Sequence, residues 1–183
     1  MKQNRLIRYT IWGILIICPW ILTSCDMFHE DLPECRLFVK FKYDYNMLFT
    51  DAFHTQVDKV ELYVFDKDGK FLFSQVEEGE ALATGNYQME VKLPIGEYQF
   101  LAWAGARDSY DIYTPRGENT ITDMRLRLKR EESLIISKEL EPLWYGYISD
   151  VDFTGTSHQT KTIDLIKDTN KIRFVFQGYS DSY

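Results

Sequence analysis

From residue 37 onward, apolar and polar residues alternate in short runs. Leu37, Val39, Phe41 and Tyr43 alternate with Phe38, Lys40 and Lys42, and Val60, Leu62 and Val64 alternate with Glu61, Tyr63 and Phe65. Tyr87, Met89, Val91 and Leu93 alternate with Gln88, Glu90 and Lys92, and Met124, Leu126 and Leu128 with Arg125, Arg127 and Lys129. A period of two puts one set of side chains on each face of a strand. Met89, Val91 and Leu93 are therefore expected in a core, with Gln88, Glu90 and Lys92 outside. Tyr98 to Ala104 is apolar on both faces apart from Gln99, as in a strand covered twice. Thr160 to Ile166 and Asn170 to Gln177 complete the series, linked by Lys167-Asp168-Thr169.

Turn chemistry separates these runs. Asp66-Lys67-Asp68-Gly69 offers a glycine able to take positive φ, so Val57 to Ser74 reads as a hairpin. Pro94-Ile95-Gly96 is a second turn. Helix signals are few: Tyr45 to Gln56 has room for one turn or a short helix, and Arg130 to Leu140 is helical or irregular. The pattern predicts an all-β chain of about seven strands, built as an antiparallel two-sheet sandwich of Greek-key type.

The first 24 residues follow other rules. Lys2, Arg5 and Arg8 precede the apolar run Ile11 to Ile17, then Pro19, Trp20 and Ile21. This is a secretory signal, with an apolar run shorter than the ~20 residues of a spanning helix. Leu22-Thr23-Ser24-Cys25 resembles a bacterial lipobox, with cleavage between Ser24 and Cys25 and lipid on the Cys25 thiol. An ordinary signal peptide with a chance cysteine is the alternative. Residues 25–34 form an acidic tether (Asp26, Glu30, Asp31, Glu34), either a surface-export signal or a solvated spacer.

Loss of residues 1–24 removes three basic and no acidic residues, taking the net charge from −7 to −10. No block of Lys or Arg survives, so neither nucleic acid nor an anionic membrane surface is an expected main partner. With Cys18 in the signal and Cys25 lipidated, only Cys35 remains, buried or paired with something outside the chain.

Catalytic and metal-binding patterns are not legible. His29, His54 and His158 stand apart from any Cys, Asp or Glu at ligand spacing. Asp66-Lys67-Asp68-Gly69 shares the opening of a calcium loop, but the later ligands and terminal Glu are missing, and a β-turn explains it better. Glu77, Glu78 and Glu80 read as a solvated acidic loop. Trp103, Tyr110, Tyr113, Trp144 and Tyr145 are the aromatics with which a sugar could stack, although Trp103 falls in a strand expected to be buried. No enzyme, metal, cofactor or small-molecule substrate is expected.

An ordered set of segments is similar to the FimB-type anchor lipoproteins of protease-matured (type V) fimbriae. These are Leu22 to Cys25, Asp31-Leu32-Pro33-Glu34-Cys35, Phe41 to Met47, Asp51-Ala52-Phe53 and Gln56 to Asp66 with Gly69. Leu93 to Tyr98, Ala102 to Gly105, Pro142 to Gly146 and Leu165 to Ile172 follow. The resemblance implies a transthyretin-like sandwich over residues 35–178, with residues 179–183 starting a linker to a second β domain. It implies a lipid-anchored outer-membrane protein facing the cell surface, at the base of a fimbrium. There it would bind the shaft subunit, hold the shaft and limit its length. A surface glycan-binding lipoprotein is the alternative.

Overall fold

A computed structural model describes residues 34–117, 119–130, 136, 138–175 and 177. Residues 35–183 form one compact unit. The strands are β1 (Leu37–Lys42), β2 (Lys59–Asp66), β3 (Phe71–Glu78), β4 (Met89–Val91), β5 (Gly96–Ala104), β6 (Tyr110–Tyr113), β7 (Arg125–Leu128), β8 (Trp144–Phe153), β9 (Gln159–Asp164) and β10 (Ile166–Lys167). One turn of helix, α1 (Phe53–Gln56), precedes β2.

Two sheets make the sandwich. One has the order β4-β1-β9 and the other β10-β8-β5-β2-β3. Every pair is antiparallel except β1 with β9, which run parallel from Leu37 beside Gln159 to Lys42 beside Asp164. The core between the sheets takes Leu37, Val39, Phe41, Met89, Val91 and Ile163 from the smaller sheet. The larger sheet gives Val60, Leu62, Val64, Phe100, Ala102, Trp144 and Val151. Met89 and Val91 are buried and Gln88 and Lys92 exposed, as the alternation requires, while Glu90 and Leu93 are half-buried.

The β2 alternation does not divide into buried and exposed faces. Tyr63 and Phe65 are as buried as Val60, Leu62 and Val64, but in a separate cluster with Leu101 on the outer face of the larger sheet. The hairpin β6–β7 and the 3-10 turn Ile121–Asp123 lie there, contributing Ile112, Ile121 and Met124. The strand is thus sandwiched on both sides, and its outward residues are apolar because they meet a third layer.

The turn after β2 forms as expected. Gly69 takes φ +78°, and the Asp66 carboxylate accepts the backbone N–H groups of Asp68 (3.0 Å) and Lys70 (2.9 Å). That carboxylate is committed to its own turn.

Three readings are corrected. β8 pairs along the length of β5, yet Trp144 to Phe153 is not among the predicted strands. Glu77 and Glu78 end strand β3 instead of forming a loop. Residues 170–175 are not the closing strand of this unit. Ile172, Phe174 and Val175 are exposed, and among the described residues the segment pairs with no strand. Among the described residues, no layer covers Ile172, Phe174 or Val175.

Candidate functional site

The strand registers sort the loops of the sandwich into two ends. Cys35 and Arg36 lead into β1 at one end, which also carries the turns at Asp66–Lys70 and Pro94–Gly96 and the connection from Phe153 to Gln159. The ends of β1, β5 and β9 and the starts of β2 and β8 lie at the other. There the Leu165 N–H donates to the Lys42 carbonyl at 2.7 Å, and the chain departs through β10. The chain therefore enters the sandwich at one end and leaves it at the opposite one. A strand rises ~3.3 Å per residue, so β1 alone separates the two ends by ~20 Å.

Two apolar features rise from the exit end. The first is the loop between β1 and α1. Tyr45, Met47, Leu48 and Phe49 point into solvent, Met47 and Phe49 each 91% exposed. The loop is nonetheless built firmly. The Asn46 amide donates to the carbonyls of Tyr43 and Thr50, both at 2.8 Å, and its oxygen accepts the Leu48 N–H. The Asp51 carboxylate accepts the N–H groups of Tyr43 and Phe53 at 3.0 Å. Phe49 sits at φ +51°, a left-handed conformation that disfavours a bulky residue.

The second feature is a cleft of about 1060 Å³ between β7, residues 139–143 and residues 167–171. Leu126, Leu128, Leu140, Pro142 and Leu143 line it. Arg127, Arg130, Lys167 and Lys171 stand around it with Glu139 and Asp168. Lys171 pairs with Glu139, Arg127 lies over the Tyr113 ring, and Lys167 over the Trp144 ring. Partial desolvation against the cleft wall raises the pKa of the Asp168 carboxyl from its ordinary value, although the residue as a whole is exposed.

Trp144 joins the two features. Its ring meets Tyr43, at the foot of the loop, on an edge-to-face contact and Lys167, on the cleft, through its π system. Gly105 makes room for it. That residue takes φ +73°, and a Cβ there would stand 2.1 Å from the Pro142 carbonyl and 2.9 Å from the indole. Arg107 ties the same end together by donating to Glu78 (2.7 Å) and Asp58 (2.9 Å).

The residues singled out from sequence fall as follows. Ser24, Cys25 and His29 lie outside the described residues. Cys35 is a free, half-buried thiol packed against the core. His54 is exposed on α1, and His158 accepts the Arg36 N–H through Nδ1 at 3.0 Å. Among the described residues, no three His, Cys, Asp or Glu gather as metal ligands, and no helix is long and apolar enough to cross a membrane.

The aromatics named for stacking are dispersed. Trp144 and Tyr110 are buried, and the Tyr110 hydroxyl donates to the Glu141 carbonyl at 2.7 Å. Trp103 and Tyr145 touch at 4.8 Å but are tilted by 52°. The apolar loop was not singled out from sequence, although Tyr45-Asn46-Met47-Leu48-Phe49 between two strand-forming regions is itself a signal.

Residues 32–183 match the family model described as fimbrillin-A associated anchor proteins Mfa1 and Mfa2. The chain is 27% identical over 129 residues to the minor fimbrium anchoring subunit Mfa2 of Porphyromonas gingivalis, covering 68% of this chain and 40% of that protein. It shares 70% identity and a TM-score of 0.70 with a solved Bacteroides thetaiotaomicron protein described as a candidate polysaccharide-binding protein, over 73% of this chain and 48% of that one. The solved structure of the Porphyromonas gingivalis fimbrial anchor protein Mfa2 has the same fold, with a TM-score of 0.59 at 21% identity over 73% of this chain and 50% of that one. The chain thus spans half or less of the length of these relatives.

Proposed function

Because the chain belongs to the family of fimbrillin-A associated anchor proteins Mfa1 and Mfa2, we propose that it works as a lipid-tethered protein of the outer membrane at the base of a fimbrium. In this reading it faces the cell surface, holds the shaft subunit and limits the length of the shaft. Lipid on Cys25 supplies the tether, and the acidic residues 26–34 supply the spacer. Each buried lipid CH₂ contributes ~0.8 kcal/mol, so two or more chains anchor stably. The role is structural and needs no catalysis.

The observation that carries the reading is the opposition of the two ends. The chain enters through Cys35 at one end of β1, whereas the apolar loop, the cleft and the departing segment lie at the other. A body tethered at its entry end presents those apolar surfaces away from the membrane, where a shaft would be held. Residues 170–175, with Ile172 and Phe174 exposed in strand-like alternation, are suited to open a second β domain in a longer anchor.

The glycan-binding reading has one specific support, the description of the relative at 70% identity. A stacking platform needs rings that lie flat side by side, and the Trp103–Tyr145 tilt of 52° does not provide one. The anchor reading is preferred.

The test replaces Cys25 with Ala in cells that assemble the fimbrium. The expected result is loss of lipid label, movement of the protein to the soluble fraction and release of fimbriae into the medium. A Cys25→Ala protein that still takes label and still fractionates with membranes overturns the tether. Fimbriae that remain attached to cells lacking the protein altogether overturn the anchoring role.

A further inference from the structure

The outer layer formed by β6 and β7 leaves part of the larger sheet uncovered, with Ser74 and Val76 of β3 exposed. Its hydrogen bonds fix which way the β6 main chain points. The Lys129 N–H donates to the Ser109 carbonyl at 2.9 Å, and the register continues with Tyr110 beside Leu128 and Asp111 beside Arg127. Bonded and non-bonded pairs alternate along an antiparallel ladder. Asp111 and Tyr113 therefore bond β7, and the main-chain groups of Tyr110, Ile112 and Thr114 point the other way. The Tyr110 N–H donates to the Arg107 carbonyl at 3.0 Å, in agreement with that direction. The Tyr110 carbonyl, the Ile112 N–H and carbonyl and the Thr114 N–H meet no main-chain partner among the described residues.

Those three residues line one wall of a groove of about 510 Å³. Its floor is the outer face of β2 and β3, where the Ser74 hydroxyl donates to Glu61 at 3.3 Å beside Tyr63. Its lining residues are all described, as is the connection 105–109 that leads from β5 into β6. The edges of the larger sheet are guarded. β3 turns Gln75 and Glu77 inward, to the Glu90 carbonyl and the Tyr87 hydroxyl, and β8 carries an extra residue opposite β5. Bulges and inward polar side chains of this kind deter strand pairing. β6 keeps a regular register and has neither.

We propose that an extended segment of the shaft subunit adds to the free edge of β6 and lies in this groove as a third strand of the outer layer. A row of unpaired N–H and C=O groups selects an extended main chain as its occupant. The four residues of β6 offer ~13 Å of edge, and a strand ~4.8 Å beside them lies over β2 and β3. The polar floor selects small or hydroxyl-bearing side chains at every second position. The identity of the partner rests on the shaft-holding reading: the groove starts at Lys59 and Arg107, at the exit end, where that reading places the shaft. A second copy pairing antiparallel through the same edge would turn its entry end, and its tether, the opposite way.

The test measures amide hydrogen exchange in the isotope-labelled full chain, in detergent, with and without purified shaft subunit. In the free chain, Asp111 and Tyr113 should exchange slowly and Ile112 and Thr114 fast. The shaft subunit should slow Ile112 and Thr114 at least about tenfold. Ile112→Pro removes the outward N–H and keeps the bonds to β7, a position where a strand tolerates proline. It should weaken shaft binding at least about tenfold, the scale of a buried polar group left unpaired. Ile112→Ala keeps the N–H and should bind within about threefold of the parent. Ser74→Trp obstructs the floor without touching β6 and should weaken binding as Ile112→Pro does. Shaft binding that leaves Ile112 and Thr114 exchange unchanged, or that survives both Ile112→Pro and Ser74→Trp, overturns the strand addition and leaves the shaft-holding reading in place. Equal losses for Ile112→Ala and Ile112→Pro overturn it too, since the side chain would then be the contact. Protection of Ile112 on concentrating the chain alone gives the edge to a second copy and overturns the shaft as occupant. A chain that does not bind the shaft subunit at all overturns both.

Discussion

The ring of Tyr43 stands edge-on to that of Trp144, with centroids 5.9 Å apart and planes at 73°. Tyr43 ends the buried alternation of β1, and Trp144 begins β8. The contact therefore clamps the two sheets at their exit end. Trp144 is only 2% exposed, and Gly105 is shaped around it. Replacing Trp144 by Ala leaves a large void under Tyr43 and should cost ~3–5 kcal/mol. Trp144→Phe retains an edge-to-face partner and should lose less than half as much. Chemical denaturation of the three proteins checks the order. Equal losses for Ala and Phe would show that the aromatic contact contributes nothing beyond filling space.

A second prediction sets two apolar residues of similar sequence pattern against each other. Val91 lies in β4 and is buried, so Val91→Ala should destabilise by ~1–3 kcal/mol. Phe174 also sits in a strand-like alternation but is 75% exposed. Phe174→Ala should change the stability of residues 35–183 by no more than ~0.5 kcal/mol. Denaturant melts distinguish the two. A comparable loss at Phe174 would restore residues 170–177 to the core of this unit.

That contrast shows how far the sequence reaches. Period-two alternation finds β1 and β4 because each has one wet face and one dry face. It cannot tell Ile172 and Phe174 from Val91, since the pattern says which face is apolar and not whether anything covers it. It misses β8 for a local reason. Trp144, Gly146 and Ile148 share one phase, but Val151 and Phe153 follow in the other, because β8 carries one extra residue between Ile148 and Val151, opposite Tyr98 to Phe100 of β5. Gly146 hides the pattern further. Ile163 presses so closely on it that a Cβ would lie 2.4 Å away, and a core position is filled by a residue with no side chain. The burial of Tyr63 and Phe65 required the third layer, β6–β7, whose apolar residues lie far along the chain. The exposed loop at residues 45–49 was legible as composition, but its rigidity comes from Asn46 and Asp51 bonds that no periodicity reports.

The last prediction concerns Asp168, on the cleft. Asp168 is exposed as a residue, yet partial desolvation of its carboxyl against the cleft wall raises its pKa above the ordinary 3.8. Its backbone N–H donates to the Leu143 carbonyl at 2.8 Å, so the position is fixed by the main chain and not by the carboxylate. A folded-state pKa above the unfolded one means that the folded protein binds the proton more tightly. The stabilising contribution is then fully present below pH ~3.8 and is lost as pH rises through the elevated value. At neutral pH the ionised group is a burden. Asp168→Asn removes that burden, and the variant should be more stable than the parent near pH 7. The advantage should shrink to nothing as pH falls below ~3.8. Tyr110 and Tyr145 give an independent reading. Burial is the main cause that holds their hydroxyls above the ordinary 10.0, and the Asp168 charge adds to it. Ultraviolet titration of Asp168→Asn should therefore show part of the tyrosine absorbance rising at lower pH than in the parent. Unfolding curves at the two pH values, taken with that titration, test the assignment together. If Asp168→Asn is less stable than the parent at neutral pH, the carboxylate is serving as a partner in the cleft, and desolvation is not what governs it.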